Sequence, residues 1–276
     1  MIELPESVNL ARELKEALKG KKIEKVLPPS SVHKFCWYEG EPEAYDALLK
    51  GKKIVSVESY GIYVEIIFDQ ETKLNFNDGV NIRLLTEEEN LPVKYQLAIF
   101  LDSGEKLVFT VAMYGGIIAY QGENTNEYYQ KNKIGVSAIS KEFTNEYWIN
   151  LIHSVKPTMS LKAFLATEQR IIGIGNGVLQ DILFAAKLHP KRKIESLSEE
   201  EKDILYQKTK SVLEEMIRKG GRDTEKDMYG NLGNYKTILS KNTYKEGCPV
   251  CHGAITKENY LGGSIYYCPN CQPMKK

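Results

Sequence analysis

The chain has 276 residues, of which 42% are hydrophobic and 27% are charged, so it can bury sizeable cores in one large domain or two. This composition excludes a disordered or low-complexity protein. No apolar run approaches the roughly 20 residues of a membrane helix, and the first residues lack the apolar core of a signal peptide. Four of the five cysteines fall within 24 residues near the end of the chain, unlike a secreted disulfide scaffold. We expect a cytosolic protein without a membrane partner.

The formal net charge of zero hides an uneven distribution. Residues 155–276 contain 20 Lys plus Arg and 14 Asp plus Glu, whereas residues 1–154 contain 17 and 23. A basic C-terminal half is compatible with contact to phosphates. Ordinary scatter of charge explains the same count equally well.

The first part of the chain predicts one helix followed by a β domain. Leu10, Leu14 and Leu18 recur at helical spacing, and Gly20 marks the end of that helix. Short segments with alternating or β-branched residues follow, separated by turn signals. The predicted strands cover residues 53–59, 62–68, 73–77, 80–85, 106–111 and 116–120. We predict an antiparallel β-sandwich or barrel with a leading helix over residues 1–125.

Helical patterns dominate after a polar stretch that ends near residue 140. Asn176 is placed to cap one of these helices, and Ser198 with Glu201 forms a capping-box pattern that opens a long amphipathic helix. The predicted helices cover residues 143–154, 160–168, 177–187 and 198–219. The fold class is therefore α+β, with a helical domain over residues 140–235 and a separate cysteine segment over residues 240–276.

The cysteine segment carries the strongest chemical signal. Cys248 and Cys251 form one Cys-x-x-Cys pair, and Cys268 and Cys271 form a second pair after sixteen residues. This spacing allows four thiolates to converge on one Zn²⁺, and the residues between the pairs predict a β-hairpin through Gly262-Gly263. All four positions are filled by protein, so we predict a single structural zinc ion. Free or redox-active thiols are the alternative, but they do not explain two pairs that frame a hairpin.

A glycine-rich turn forms the second signal. Gly173, Gly175 and Asn176 lead into a predicted helix, and exposed amides at a helix N-terminus attract phosphate. A plain turn between two packed helices is the alternative. The pattern lacks the preceding strand of a dinucleotide-binding fingerprint.

These features occur in the order seen in a known family. The chain resembles the formamidopyrimidine-DNA glycosylase/endonuclease VIII family of base-excision repair enzymes over essentially its whole length. Within that family, residues 221–231 look most similar to chains labelled endonuclease VIII. The matching segments are Glu3-Leu4-Pro5-Glu6, Ile172–Asn176, Leu183–Ala186, His189-Pro190, Gly220-Gly221 and Tyr267–Gln272.

The resemblance implies a DNA-repair enzyme of the bacterial cytosol or nucleoid. In the family, a β-sandwich domain and a helical domain flank a cleft for damaged DNA, and a helix–two-turn–helix motif and the zinc finger hold the phosphates. The damaged base is flipped out. An N-terminal proline, exposed when the initiator methionine is removed, attacks the sugar and forms a Schiff base. The adjacent glutamate, which corresponds to Glu3, transfers protons at the sugar.

The amino terminus departs from the family pattern, because Ile2 stands where the proline is expected. Removal of Met1 favours a small second residue, so retention of Met1 is one expectation. Its amine would then lie about 3.8 Å out of place. Without Met1, Ile2 offers a primary amine that can still form a Schiff base. Glu3 remains in either case and can activate water, whereas Glu6 contacts the sugar or, as our default interpretation, caps the first helix.

Other family positions also differ. The lysine expected on a strand near residue 62 is absent, and the loop that usually carries an apolar wedge begins at Asn75 and is acidic. Met113 or Tyr114 remains available to wedge between bases. The arginine expected at the tip of the finger hairpin is replaced by Gly263.

Three functions follow from the resemblance and its departures. The first is a DNA glycosylase acting as a monomer on double-stranded DNA with a damaged base or abasic site, with a weak or altered abasic-site lyase step. The second is a catalytically inactive protein that binds damaged DNA on the same scaffold. The third is a zinc-stabilised interaction protein.

Overall fold

The computed structural model describes residues 1–275. The chain folds into two compact units. The first contains Met1–Lys133 together with Gly220–Asn234, and the second contains Ile134–Lys219 together with the residues from Tyr235 onward. Across these described residues, none of the helices is both long and apolar enough to cross a membrane.

Helix α1 (Leu4–Leu18) opens the first unit, as predicted. Glu3 takes an extended conformation at its N-cap, and proline follows in the first turn, where a missing N–H costs no hydrogen bond. The helix buries its leucine face and ends before Gly20, whose φ of +92° favours glycine. The amphipathic pattern therefore correctly predicted both the helix and its end.

Nine strands and two shorter helices complete the first unit. Six of the strands were predicted from sequence, whereas β1, β2 and β7 were not. The elements are β1 (Ile23–Leu27), β2 (Cys36–Trp37), α2 (Tyr45–Leu49), β3 (Ile54–Tyr60), β4 (Tyr63–Phe68), β5 (Thr72–Asn77), β6 (Val80–Leu85), β7 (Leu97–Leu101), β8 (Lys106–Val111), β9 (Gly115–Gln121) and α3 (Glu127–Ile134).

The strands form two sheets, which confirms the predicted sandwich. One sheet has the order β1-β7-β8-β6 and the other β2-β9-β5-β4-β3. Neighbouring strands are antiparallel except β2 and β9, which are parallel. The sheets share one hydrophobic core, in which the rings of Phe76 and Phe109 meet edge to face with centroids 5.3 Å apart. This shared core fixes which face of each sheet points outward.

Helices make up most of the second unit. Ser160 and Ser198 cap two of them through their side chains, and the capping box between Ser198 and Glu201 is present as predicted. The predicted cap at Asn176 is wrong, because Gly177 occupies the N-cap position and the Asn176 side chain bonds elsewhere. The helices are α4 (Asn145–His153), α5 (Leu161–Ala166), α6 (Val178–Ala185) and α7 (Glu199–Arg218).

The cysteine segment forms a hairpin of strands β10 (Thr256–Tyr260) and β11 (Gly263–Tyr267). The two residues at its turn, Leu261 and Gly262, both have positive φ, as a tight hairpin requires. Tyr260 pairs with Gly263, so Gly263 begins the second strand and lies one position beyond the turn.

The two units divide the chain differently from the predicted domain boundaries. Gly220–Asn234 belongs to the first unit, although the prediction placed it with the helical domain. The hairpin segment belongs to the same unit as the helices. The reason for the first difference is an ion cluster around Arg222, which is described next.

Candidate active site and metal centre

Two glutamates from the amino terminus meet a buried arginine in the first unit. Arg222 is 2% exposed, and its Nε and Nη2 donate to the two carboxylate oxygens of Glu6 at 3.0 and 2.6 Å. Its Nη1 lies 3.5 Å from Oε1 of Glu3. Glu3 and Glu6 are themselves buried. One cation thus faces two carboxylates inside the protein.

The buried carboxylates of Glu3 and Glu6 stabilise the charged form of Arg222. Burial disfavours the charged form of Arg222, but the carboxylates of Glu3 and Glu6 outweigh this effect and raise the pKa of the guanidinium. Glu6 also accepts the backbone N–H of Glu3 at 3.2 Å, as in a capping box. The default interpretation of Glu6 as a helix cap is therefore incomplete, since its main polar partner is Arg222.

Met1 and Ile2 are held by this cluster and by the turn between β5 and β6. The amine of Met1 forms an ion pair with Glu225, and the Met1 carbonyl accepts from Arg222 at 3.2 Å. The Ile2 nitrogen donates to the Asp78 carbonyl at 2.6 Å, and the Ile2 side chain is buried in the core. While Met1 is present, the Ile2 nitrogen is a peptide nitrogen and cannot act as a nucleophile.

The predicted wedge residues lie in the turn between β8 and β9. Met113 is 61% exposed, and Tyr114 is more than one-third exposed. A Cβ at Gly79 would lie 2.0 Å from the Tyr114 carbonyl oxygen, so only glycine lets the two turns approach this closely. Burial and the Asp78 carboxylate raise the pKa of Tyr114 to about 12. The structure therefore places both residues at the surface beside the amino terminus.

Asn75 behaves differently from the other predicted DNA contacts. It lies on the outward face of β5, yet its side chain is completely buried. Neither its amide nitrogen nor its amide oxygen makes a hydrogen bond. A buried amide of this kind is not a direct contact for the DNA backbone.

The glycine-rich turn is confirmed as a tight connection into α6. Gly173 has a φ of +84°, and its N–H donates to the Gln169 side chain at 2.8 Å. The Asn176 amide nitrogen donates to the Ser264 carbonyl at 2.9 Å, and its oxygen is buried. Phosphate accepts hydrogen bonds, and the Asn176 amide nitrogen already donates to Ser264, so any phosphate contact here depends on the N-terminal dipole of α6 more than on the Asn176 side chain.

Asn176 instead joins the turn to the cysteine hairpin. An ideal Cβ on Gly263 would lie 3.3 Å from the Asn176 side chain, closer than most real contacts. Gln180 on α6 donates to Ser264 and accepts from the Tyr266 N–H at 3.1 Å. Gly263 is therefore a packing position against the turn, in addition to its predicted role near DNA.

Lys162 is a further link that the sequence did not reveal. Its side chain is buried on α5, and its ammonium group donates to the backbone carbonyls of Tyr260 and Gly263 in the hairpin. Burial lowers its pKa. A lysine within a short helix carries no sequence signal for this role, because its partners lie about a hundred residues later.

The four cysteines converge as their spacing predicts. The Sγ atoms of Cys248, Cys251, Cys268 and Cys271 all lie within 4.8 Å of one another. The distances of 3.7 Å between Cys248 and Cys271 and 3.4 Å between Cys251 and Cys268 exclude disulfides. Four sulfurs at about 2.3 Å from a tetrahedral metal lie about 3.8 Å apart. The cluster could therefore hold one metal ion.

The hydrogen bonds around the cluster favour thiolate formation at one position. The Gly253 backbone N–H and the neighbouring thiols lower the pKa of Cys251 to about 6. Desolvation and the other thiols raise the pKa of Cys271 to about 12. A divalent cation would compensate the shared negative charge of the four sulfurs.

Solved DNA-repair glycosylases share this fold. The Lactococcus lactis Fpg in complex with DNA containing an abasic site superposes with a TM-score of 0.83 and 23% identity over 99% of this chain and all of that chain. The MutM (Fpg) protein of Thermus thermophilus gives a TM-score of 0.81 and 24% identity with the same coverage. At this identity, the likeness establishes a common architecture.

Sequence comparison assigns the family. The family model described as the formamidopyrimidine-DNA glycosylase N-terminal domain matches residues 1–130, and that described as the formamidopyrimidine-DNA glycosylase H2TH domain matches residues 134–227. The chain belongs to the formamidopyrimidine-DNA glycosylase/endonuclease VIII family. Proteins named formamidopyrimidine-DNA glycosylase from Bacillus cereus and Listeria monocytogenes are each 27% identical to this chain and match over 99% of it, covering 99% and 100% of their own lengths.

Arg222 is the main residue of the candidate site that sequence reasoning missed. It is separated by 216 positions from Glu6. A basic residue directly after Gly220-Gly221 was the available signal, since the amino-terminal motif supplies two acids that need a cation when buried.

Proposed function

We propose that the protein is a DNA glycosylase of base-excision repair that removes a flipped damaged base from double-stranded DNA. The observation that carries this proposal is the buried cluster of Glu3, Glu6 and Arg222 at the amino terminus of α1. Full-length relatives named as glycosylases support it. They give no support to the alternative of an inactive protein that binds damaged DNA.

Glu3 is the residue that we assign to proton transfer at the sugar. Arg222 and the α1 N-terminus fix its position, and a fixed carboxylate can accept a proton from attacking water. The Ile2 nitrogen becomes an amine only if Met1 is removed. We therefore propose base release with water activation by Glu3, and a lyase step that is weak or altered compared with proline-containing relatives.

We propose that the second unit holds the phosphates. The turn from Gly173 to Asn176 leads into the N-terminus of α6, whose helix dipole favours an anion, and the cysteine hairpin is tied to that turn through Asn176. Met113 or Tyr114 in the first unit supplies the wedge that fills the space left by the flipped base. Such contacts position the DNA without reading its sequence.

We propose that the metal ion in the cysteine cluster is one zinc ion with a structural role. Four thiolates and tetrahedral spacing favour zinc, and no ligand position is left open for substrate. Zinc would hold the two turns of the hairpin together, since the hairpin alone has too little core to fold. We also propose that the protein acts as a monomer on chromosomal DNA in the bacterial cytosol. The similarity of residues 221–231 to endonuclease VIII chains stays a prediction.

The first test measures base release and covalent trapping on duplexes with oxidised bases or an abasic site. We expect Glu3→Gln to lower the rate of base release by about 10²–10⁴-fold, the range for loss of a general base. Binding to an abasic-site duplex should be retained. Glu58→Gln is the control, because the Glu58 side chain is 42% exposed and pairs with Lys15.

Borohydride trapping separates the two chemical routes. Trapping that depends on the N-terminal residue would show that an amine attacks the sugar, whereas base release without trapping supports water activation. Binding across a broad lesion panel with no base release would remove the enzyme proposal. Intact-mass measurement of the same preparation shows whether Met1 is present.

The phosphate-binding proposal is tested by Asn176→Ala. Loss of its bond to Ser264 should loosen the hairpin, so we expect affinity to fall by about five- to tenfold, equally on all duplex sequences. Asn145→Ala is the control, because Asn145 pairs with Asp203 on the surface. Electrophoretic mobility shifts at several salt concentrations measure the effect. Unchanged affinity for Asn176→Ala would contradict the role of the turn.

A further inference from the structure

A cavity of about 430 Å³ lies on the outward face of the five-stranded sheet, within the first unit. Its volume falls in the range of small-molecule sites, about 300–1,000 Å³. Four aromatic side chains contribute rings to its wall: Trp37, Tyr63, Tyr114 and Tyr128. They belong to β2, β4, the turn between β8 and β9, and α3. Separate elements of the fold thus bring these rings around one space.

The rings are tilted against one another in two pairs. The centroids of Trp37 and Tyr114 are 6.3 Å apart, with an angle of 49° between the ring planes. Those of Tyr63 and Tyr128 are also 6.3 Å apart, with an angle of 62°. The face of an aromatic ring is electronegative and attracts a cation within about 6 Å of its centroid. Tilted rings can present more than one such face to a single ligand.

The charged groups of the wall are all negative. Among the described residues around the cavity, Glu39 and Asp78 carry carboxylates, and none is lysine, arginine or histidine. The Asp78 carboxylate interacts with the Tyr114 hydroxyl, and burial raises the pKa of Asp78. A bound cation would favour the charged form of this carboxylate, whereas an anion would be repelled.

Two cations close to the cavity already have other partners. The Lys133 ammonium group lies over the Tyr129 ring and 3.8 Å from the buried carboxylate of Glu65. The Met1 amine forms its ion pair with Glu225. Neither cation is part of the cavity wall. The negative charge of the wall is therefore available to a cation that comes from outside the chain.

We propose that this cavity binds a small organic ammonium cation, of the polyamine or quaternary amine class. The rings supply cation–π contacts, and the carboxylates of Glu39 and Asp78 compensate the charge of the ligand. The Asp78 carbonyl also accepts the N–H of Ile2, so the bound cation lies beside the amino terminus. This inference goes beyond the glycosylase proposal and does not depend on it.

The test compares choline with its uncharged isostere 3,3-dimethylbutanol by titration calorimetry on the full chain without DNA. Putrescine serves as a second cation. We expect both cations to bind with a Kd at or below about 1 mM, and the uncharged alcohol to bind at least about tenfold more weakly than choline. This comparison separates attraction of charge from burial of apolar surface, because the two ligands have the same shape.

Variants of the wall place the binding in this cavity. Trp37→Leu and Tyr128→Leu replace a ring by an aliphatic side chain, so each should weaken choline binding by about three- to thirtyfold. Glu39→Gln should weaken both cations. Tyr229→Leu is the matched control, since Tyr229 is 52% exposed outside the cavity and should leave the Kd unchanged. Trp37 is 53% and Tyr128 45% exposed, so both variants should keep the wild-type melting temperature.

Three outcomes would overturn the proposal. The first is equal affinity for choline and the uncharged alcohol, and the second is the absence of saturable binding for both cations. The third is unchanged choline affinity in both ring variants, because the cation would then bind elsewhere. The glycosylase proposal fails separately, if the wild-type protein neither binds an abasic duplex nor releases any base.

Discussion

Arg222→Met should lower the free energy of unfolding of the first unit by about 3–5 kcal/mol, because it leaves the buried carboxylates of Glu3 and Glu6 without a compensating cation. Methionine roughly preserves the volume, so the effect reports lost charge compensation more than a cavity. The change also frees Gly220–Asn234 from its polar anchor to α1. Urea unfolding followed by tryptophan fluorescence measures the loss.

Arg12→Met is the matched control for this prediction. Arg12 is exposed on α1 and bonds to Asn9, so its replacement should change stability by less than about 1 kcal/mol. Adding Glu6→Gln to Arg222→Met should recover part of the loss, since one unpaired buried carboxylate is removed. A loss below about 1 kcal/mol for Arg222→Met would refute the buried cluster.

The same variant should respond to pH in a defined direction. A buried carboxyl group without a cation has a folded-state pKa above its unfolded value, so it contributes stability at low pH that is lost as pH rises. The stability gap between Arg222→Met and the wild type should therefore shrink from about pH 8 to about pH 5. A gap that widens on acidification would show that the carboxylates are not the cause.

Removal of the metal should unfold the cysteine hairpin while the first unit stays folded. Isolated zinc-finger peptides gain about 10–16 kcal/mol on binding zinc, far more than a short hairpin gains from its own packing. Chelation or Cys248→Ser should therefore abolish amide protection over residues 248–272 in hydrogen exchange. Affinity for an abasic-site duplex should fall at least about tenfold, since the hairpin is bound to the glycine-rich turn.

Cys36→Ser is the control for metal removal. Cys36 is half-buried in the first unit, packs against its core and lies outside the metal cluster. Metal analysis should give one zinc per chain for the wild type and for this control. A chelated protein that keeps both hairpin protection and DNA binding would contradict the structural role of the metal.

Sequence patterns correctly predicted the helices and strands whose formation depends on residues close together in the sequence. Helix α1 and helix α7 were predicted from apolar spacing and capping residues, and the strands from alternation between turn signals. Strands β1 and β2 were missed because they are short and pair with distant segments, whereas β7 was missed because its five apolar residues do not alternate with polar ones. Helix α3 was missed because its sequence is polar and it buries only isolated residues such as Tyr129.

The sequence by itself determined the four-cysteine cluster that could hold a metal ion and the family, because both depend on residues at short, fixed spacing. The Cys-x-x-Cys pairs, the Glu3–Glu6 motif and the glycine-rich turn are readable without coordinates. Only the tertiary structure decided how Glu3 is held, through a cation 216 positions beyond Glu6, and that Asn75 is a buried amide under a cavity. Burial and ion pairing depend on which distant segments of the chain contact each other, and the spacing of residues in the sequence does not predict those contacts.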